Sequence, residues 1–331
     1  MFQNSGMGVT IHGIGSAVPK ASLNNHQISQ IVDTSDEWIT TRTGIGRRRL
    51  AEGTSALTGI ATEAAQKAIN MANIDPVDID LIILATSSPD DLFGSASQVQ
   101  ARLGAKRAAA FDLTAACSGF VFGMVTAAQF IRTGAYQTIV LIGADVLSRW
   151  VDWSDRRTCV LFGDGAGAIV MQTDQRDHLL GFELRSDGTQ HNSLTLAYQG
   201  QTKSLLDGIA VNQGTYQHIV MNGRDVYKFV VKQVPEIIEK ALFRATLTID
   251  QVDWLILHQA NQRILDGVAQ RLNIPEHKVV SNLANYGNTS AASIPLTLDE
   301  IVRQGKVKSG DTIAISGFGA GLTWGAAVFR W

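Results

Sequence analysis

The sequence predicts an α/β fold built from two related halves, residues 1–180 and 181–331. Three observations carry that prediction. Apolar runs of strand length alternate with segments of helical periodicity. The two halves echo each other in the same order along the chain. The candidate reactive side chains fall where strands give way to helices, which is where ligands of open α/β sheets collect.

In the first half a helical pattern over 61–71 leads to Asp78-Ile79-Asp80-Leu81-Ile82-Ile83-Leu84-Ala85, whose continuous apolar run reads as a buried strand. Next comes Ala110-Phe111-Asp112-Leu113-Thr114-Ala115-Ala116-Cys117-Ser118-Gly119-Phe120. Here a strand-like stretch ends in small residues, presents one cysteine and opens into a helix. In the second half a helical pattern over 226–244 leads to Val252-Asp253-Trp254-Leu255-Ile256-Leu257-His258, laying Asp253 on Asp80 and His258 on Ala85. Farther on, Ile131-Arg132-Thr133-Gly134 matches Val302-Arg303-Gln304-Gly305, at an offset that lays Cys117 on Asn288. The glycine-rich stretch 162–170 matches 318–321 and then 324–329. Two such halves are expected to pack about a pseudo-twofold axis, so that Cys117, His258 and Asn288 converge.

Composition narrows the function. The 331 residues suffice for a large core, and 45% hydrophobic with 18% charged residues describes a globular chain. A formal net charge of −2 offers no global attraction for nucleic acid or acidic membranes, so neither is an expected partner. The two cysteines, Cys117 and Cys159, are as few as a reducing cytoplasm predicts. The first residues lack the charged and apolar regions of a signal peptide. The longest apolar runs fall far short of the ~20 residues needed to cross a bilayer.

Cys117 stands at the expected helix N-terminus. There the helix dipole and free N–H groups favour a thiolate, with a pKa of about 3.5–7.5, and a thiolate is a nucleophile for acyl transfer. A small buried cysteine is the alternative. His258, directly after an apolar strand, is either a satisfied core histidine or a catalytic one. Asn288, in Tyr286-Gly287-Asn288-Thr289-Ser290, is either a helix cap or a donor to substrate. Ser316-Gly317-Phe318-Gly319-Ala320-Gly321 is either a tight turn or part of an oxyanion hole. Phe162-Gly163-Asp164-Gly165-Ala166-Gly167 lacks the residues of a phosphate loop and reads as packing. The other histidines have no metal-ligand spacing, so no metal is expected.

Together these motifs resemble the β-ketoacyl-acyl-carrier-protein synthase III family of the thiolase superfamily. The resemblance runs from Ile14-Gly15-Ser16 through Thr34-Ser35-Asp36-Glu37-Trp38 and Arg42-Thr43-Gly44-Ile45 to Gly321-Leu322-Thr323-Trp324-Gly325. It implies a thiolase-like five-layered αβαβα fold, a homodimer, and no cofactor beyond the coenzyme A of the thioester substrate. It implies the initiating condensation of acetyl-CoA with malonyl-acyl carrier protein in type II fatty-acid synthesis. Cys117, His258 and Asn288 would be catalytic, and the N–H groups of Cys117 and Ala320 would form the oxyanion hole. Trp38 would stack on the adenine of coenzyme A with Arg156 on its other face. Arg42, Gly223 and Tyr227 would line the pantetheine and phosphate entrance. Phe93 would close the partner's acyl pocket across the dimer, and Arg263 would dock the acidic carrier protein. Two positions depart from the family's habit: Arg224 stands where asparagine is common, and Ala320 where glycine is common. A condensing enzyme with another starter acyl-CoA is the alternative within this class. A catalytically dead acyl-CoA-binding protein is the alternative outside it, and the intact Cys-His-Asn set argues against that.

Overall fold

The computed structural model describes residues 7–331, which form two large sheets, three small two-stranded ones and the helices around them. The first sheet contains β1 (Gly8–Ala17), β2 (Leu81–Ala85), β3 (Ala109–Leu113), β4 (Thr138–Asp145) and β5 (Gly165–Asp174), in the spatial order β1-β5-β4-β2-β3. The second contains β6 (Leu179–Ser186), β7 (Trp254–Leu257), β8 (Thr312–Gly319) and β9 (Thr323–Arg330), in the order β6-β9-β8-β7. A parallel bridge from Leu255 of β7 to Val279 stands where β3 stands in the first sheet. Both sheets pair antiparallel across their first three strands and parallel thereafter. The division expected at residues 180 and 181 falls inside β6, which pairs with β9 of the second sheet.

The helices longer than one turn are α1 (Asp36–Thr43), α2 (Ala56–Ala72), α3 (Ala96–Leu103), α4 (Gly119–Arg132), α5 (Gly223–Arg244), α6 (Gln262–Leu272) and α7 (Ser293–Arg303). α2 packs on the outer face of the first sheet and α5 on that of the second. α4 and α7 lie between the sheets and touch both, which makes five layers. The sequence of α4, Gly-Phe-Val-Phe-Gly-Met-Val, is apolar nearly all round, as a helix covered on every side requires. β2 and β4 are buried along their whole length, which is why they read as continuous apolar runs. Fully buried side chains here, such as Phe120 and Ile83, each contribute about 1.5–3 kcal/mol.

The internal echo has a physical basis in one case and is displaced in others. Asp80 accepts from Thr138 N–H at the start of β4, and Asp253 accepts from Thr312 N–H at the start of β8. Each aspartate caps the neighbouring strand, so their match is a structural equivalence. Cys117 and Asn288 are not equivalent. α4 follows a short turn, Ala116–Ser118, and α7 follows the turn Ser290–Ala292. Each turn opens on a left-handed residue, Ala116 with φ 48° and Ser290 with φ 53°. The counterpart of Cys117 is therefore Ala291. α7 has 11 residues against 14 in α4, so an alignment anchored on the helix ends slips at their beginnings. Phe318 likewise lies on β8, the counterpart of β4, and does not correspond to Phe162.

Among the described residues no helix is long and apolar enough to cross a membrane. Large apolar side chains are exposed at Leu92 and Phe93, and along the hairpin of Tyr198–Leu206 with Ile209–Tyr216, notably Leu206 and Ile209.

Candidate active site

Cys117 occupies the turn between β3 and α4, at the helix N-terminus that the sequence predicts. Its thiol is buried, 6% exposed. Burial pushes its pKa up to about 12; the Ser290 hydroxyl, which donates to Sγ at 3.3 Å, opposes the shift, and the Asp145 carboxylate adds to it. The expected depressed thiolate is thus overturned. A helix dipole supplies up to about 2 kcal/mol at a favourable site. Taking an ion out of water costs several kcal/mol, and here that cost prevails. Burial thus favours the thiol form of Cys117 over the thiolate.

His258 follows β7 directly, and its N–H donates to Ser316 O at 2.8 Å, which extends the strand by one residue. Its Nδ1 lies 2.8 Å from Ser293 Oγ, and the Phe318 ring meets it edge-on with centroids 5.0 Å apart. Burial pushes its pKa down to about 3, so the imidazole is neutral at working pH. Asn288 is fixed by its backbone. Its N–H donates to Leu161 O at 2.9 Å, and its carbonyl accepts from Gly163 N–H at 3.0 Å. Its Oδ1 accepts from Ser290 N–H at 2.9 Å, which leaves the Nδ2 donors for another partner. Cys117, His258 and Asn288 line one cavity of about 380 Å³, walled by Phe162, Phe318 and Gly319. A Cβ on Gly319 would stand 2.7 Å from Cys117 N, so glycine is what lets β8 approach the cysteine.

The same cavity runs outward past Gly223, Arg224, Tyr227 and Arg263. The Arg263 guanidinium lies 6.0 Å from the Tyr227 ring centroid. Trp38 is covered by two cations, Arg42 at 4.5 Å and Arg156 at 5.2 Å from its ring centroid. Arg156 is held by a hydrogen bond from Nη1 to Asp33 O at 2.9 Å. This trio does not line the cavity itself. It lies on and beside α1, whose C-terminal Gly44 packs against Gln262, next to Arg263. Phe93 belongs elsewhere. It lines a second, wider cavity of about 1080 Å³ that shares Cys117 and Phe162 with the first and includes Ala320.

Sequence reasoning missed three polar residues packed behind the cavity. Ser290 touches the cysteine sulfur, Ser293 touches His258, and Asp145 is wholly buried behind Ser290. Asp145 does carry a signal, a charged residue ending the apolar run Thr138–Ala144. The two serines carry none, because a serine near a helix start is ordinarily a cap. Among the described residues, no group of three or more His, Cys, Asp or Glu is placed to hold a metal ion.

Comparison with known proteins gives one result throughout. Residues 111–188 match the family 3-oxoacyl-[acyl-carrier-protein (ACP)] synthase III, and residues 242–331 match the C-terminal part of that family. The beta-ketoacyl-[acyl-carrier-protein] synthase III of Nostoc sp. is 68% identical over 325 residues, 98% of each chain. That of Synechococcus elongatus is 64% identical over 327 residues, again 98% of each chain. The crystal structure of 3-oxoacyl-[acyl-carrier-protein] synthase III from Aquifex aeolicus superposes with a TM-score of 0.88 at 43% identity, covering 98% of this chain and 100% of that one. The priming beta-ketosynthase of the R1128 polyketide pathway gives 0.90 at 31% identity, covering 100% of this chain and 98% of that one.

Proposed function

This chain belongs to the 3-oxoacyl-[acyl-carrier-protein] synthase III family, with its thiolase-like fold, and from that premise we propose how its residues carry out the condensation that initiates fatty-acid synthesis. The substrates are acetyl-CoA and malonyl-acyl carrier protein, and the products are acetoacetyl-acyl carrier protein, coenzyme A and CO2. The observation that carries the assignment of roles is the meeting of Cys117, neutral His258 and Asn288 in one cavity.

Cys117 sulfur attacks the acetyl thioester and coenzyme A leaves. The backbone N–H groups of Cys117 and Ala320 take the developing oxyanion; only an N–H is needed there, so alanine can serve where relatives use glycine. Malonyl-acyl carrier protein then loses CO2, which leaves a thioester enolate. His258 and Asn288 each donate a hydrogen bond to its oxygen. Both must be neutral donors, because a carboxylate at either position would repel the enolate. The enolate carbon attacks the acetyl-Cys117 thioester, the carbon–sulfur bond breaks, and the product departs. Trp38, flanked by Arg42 and Arg156, offers a cationic and aromatic platform for the nucleotide end of coenzyme A, while Gly223 and Tyr227 line the path of its arm. Arg263, exposed at the mouth, suits an acidic carrier protein.

The second cavity would take the acyl tail. Its Phe93 is fully exposed, as a side chain meant for a second copy would be, which supports a homodimer as the active unit; the two free cysteines suit a reducing cytoplasm. The test is incubation with labelled acetyl-CoA, followed by location of the label. Cys117 should carry it, Cys117→Ser should not, and Cys159→Ala should be unaffected. Label on another residue would refute the assignment. Repeating the incubation with longer acyl-CoA starters measures the depth of the tail pocket.

A further inference from the structure

A buried cation lies beside the segment that holds Asn288, and the condensation described above does not use it. Arg48 is wholly buried, one of the largest side chains to be so. Its guanidinium meets neutral acceptors. Nε donates to Val160 O at 2.9 Å, Nη2 donates to the same carbonyl, and Nη1 donates to Asn25 Oδ1 at 2.5 Å. Asn25 is 1% exposed and braces the far side, where its Nδ2 donates to Asp36 Oδ1 at 2.7 Å and to Ile45 O at 2.8 Å. Val160 opens the stretch with which Asn288 pairs. Leu161 O accepts from Asn288 N–H at 2.9 Å, and Gly163 N–H donates to Asn288 O at 3.0 Å. The stem of Arg48 lies against the same two segments. A Cβ on Gly287 would stand 3.3 Å from Arg48 Cγ, and one on Gly163 would stand 3.4 Å from Arg48 Cβ. Burial pushes the Arg48 pKa down to about 10, which leaves it a cation at neutral pH. Keeping an ion out of water with only neutral groups in contact is costly, and an apolar side chain of similar volume would avoid that cost. What an apolar side chain could not do is grip Val160 O with two donors and Asn25 with a third.

We propose that Arg48 is a positioning residue for Asn288. It touches no reacting atom. Its planar fork fixes the Val160 carbonyl, and with it the peptide that leads into Leu161. Asn288 takes both of its main-chain bonds from the stretch that follows, and its Oδ1 is spent on Ser290 N–H. The Nδ2 donors therefore stand where the backbone of residues 161–163 sets them. Their target is the enolate oxygen formed when malonyl-acyl carrier protein loses CO2. Cys117 is held by a different segment, the turn before α4, and its attack on the acetyl thioester precedes the enolate. Loss of the fork should thus slow the second half-reaction and spare the first. A residue that only fills the core would give no such division. The inference rests on Asn288 being a donor to the enolate.

The test compares the two half-reactions in full-length Arg48→Met, which keeps the bulk of the stem and loses every donor. The variant is assayed below its own melting temperature. One assay is release of labelled CO2 from malonyl-acyl carrier protein, and the other is acetylation of Cys117 at saturating acetyl-CoA. Misplacing a group by about 1 Å costs about a hundredfold, and removing one donor outright costs about 10²–10³-fold. A donor that is present but loosened should therefore cost about ten- to a hundredfold in decarboxylation, with acetylation within about threefold of wild type. The second readout is a double variant. Once Asn288→Ala has removed the donor, nothing is left to position, so adding Arg48→Met should lower decarboxylation by less than about twofold more. A residue that merely supports the fold would slow both half-reactions alike and multiply its loss onto that of Asn288→Ala. Either result would overturn the proposal, as would a ratio of decarboxylation to acetylation that falls by less than about threefold. If Arg48→Met does not fold, Arg48→Lys, which keeps a cation but not the fork, is judged by the same two readouts. The single variant Asn288→Ala keeps the two readings apart. Decarboxylation by it within about tenfold of wild type would remove the enolate role of Asn288, whereas a slow Asn288→Ala beside an unchanged ratio in the Arg48 variant would remove only the part given to Arg48.

Discussion

Asn288→Asp separates the two half-reactions with the least disturbance to the fold. Asn288 Oδ1 accepts from Ser290 N–H at 2.9 Å, and its backbone pairs with residues 161 and 163. Aspartate is nearly isosteric and keeps all three bonds, since a carboxylate oxygen accepts from Ser290 N–H as well as an amide oxygen does. What it loses is the Nδ2 donor. Removing one such donor from a developing oxyanion costs about 2.7–4 kcal/mol, roughly 10²–10³ in rate. The carboxylate adds repulsion in a water-poor cavity, so the loss should reach the upper end of that range. The assay is release of labelled CO2 from malonyl-acyl carrier protein, run beside acetylation of Cys117 from acetyl-CoA. Decarboxylation should fall about a thousandfold, and acetylation should fall far less because it precedes the enolate. Decarboxylation within tenfold of wild type would refute the role given to Asn288. Equal losses in both assays would show that the residue supports the site's shape instead.

Three further outcomes follow from the same geometry. A Cβ on Gly143 of β4 would stand 2.4 Å from Ala291 O, so Gly143→Ala should displace the Ser290–Ala292 turn, cost about 1–3 kcal/mol in chemical denaturation and lower activity with it; an unchanged denaturation midpoint would contradict this. Arg263→Glu should raise the KM for malonyl-acyl carrier protein with a weaker salt dependence than wild type, and leave acetylation by free acetyl-CoA nearly unchanged, because steering between exposed charges is screened by salt; equal losses with both substrates would rule out docking. His258, pushed to about pKa 3 by burial, sits below its unfolded value of about 6.5, so the unfolded chain binds the extra proton between those values. Its contribution to stability is complete above about pH 6.5 and is lost as pH falls toward 3; His258→Gln should therefore show a shallower fall in melting temperature over that window, and a parallel fall would show that other groups set the acid limb.

What the sequence made legible was what local pattern determines. Leu81–Ala85 reads as a buried strand because a strand covered on both faces has no polar alternation to show. The helix beginning at Gly119 and the position of His258 at a strand end follow from similarly local signals. The protonation of Cys117 was not legible. The helix dipole is visible in a strand–cysteine–helix pattern, but the burial that outweighs it comes from elements distant in the chain, among them the segments of Ser290 and Gly319. The register of the internal echo was misjudged for a related reason. α7 is shorter than α4, and nothing local says at which end of the helix the missing residues fall. Ser290 stayed unnoticed because its importance lies in a left-handed backbone that aims its hydroxyl at a sulfur contributed by the other half.

The backbone pairing of residue 288 with residues 161 and 163 has an evolutionary consequence. The cysteine comes from one half, the histidine and asparagine from the other, and the asparagine is held in place by main-chain bonds to the half it does not belong to. After such a duplication neither copy can be shed, and neither can drift freely where they meet, because a main-chain bond constrains the path of both segments whatever their side chains. The side chains at those junctions remain free to specialise. Matching turns now carry different residues, Cys117 in one and Ala291 in the other, and two similar halves together hold a single site.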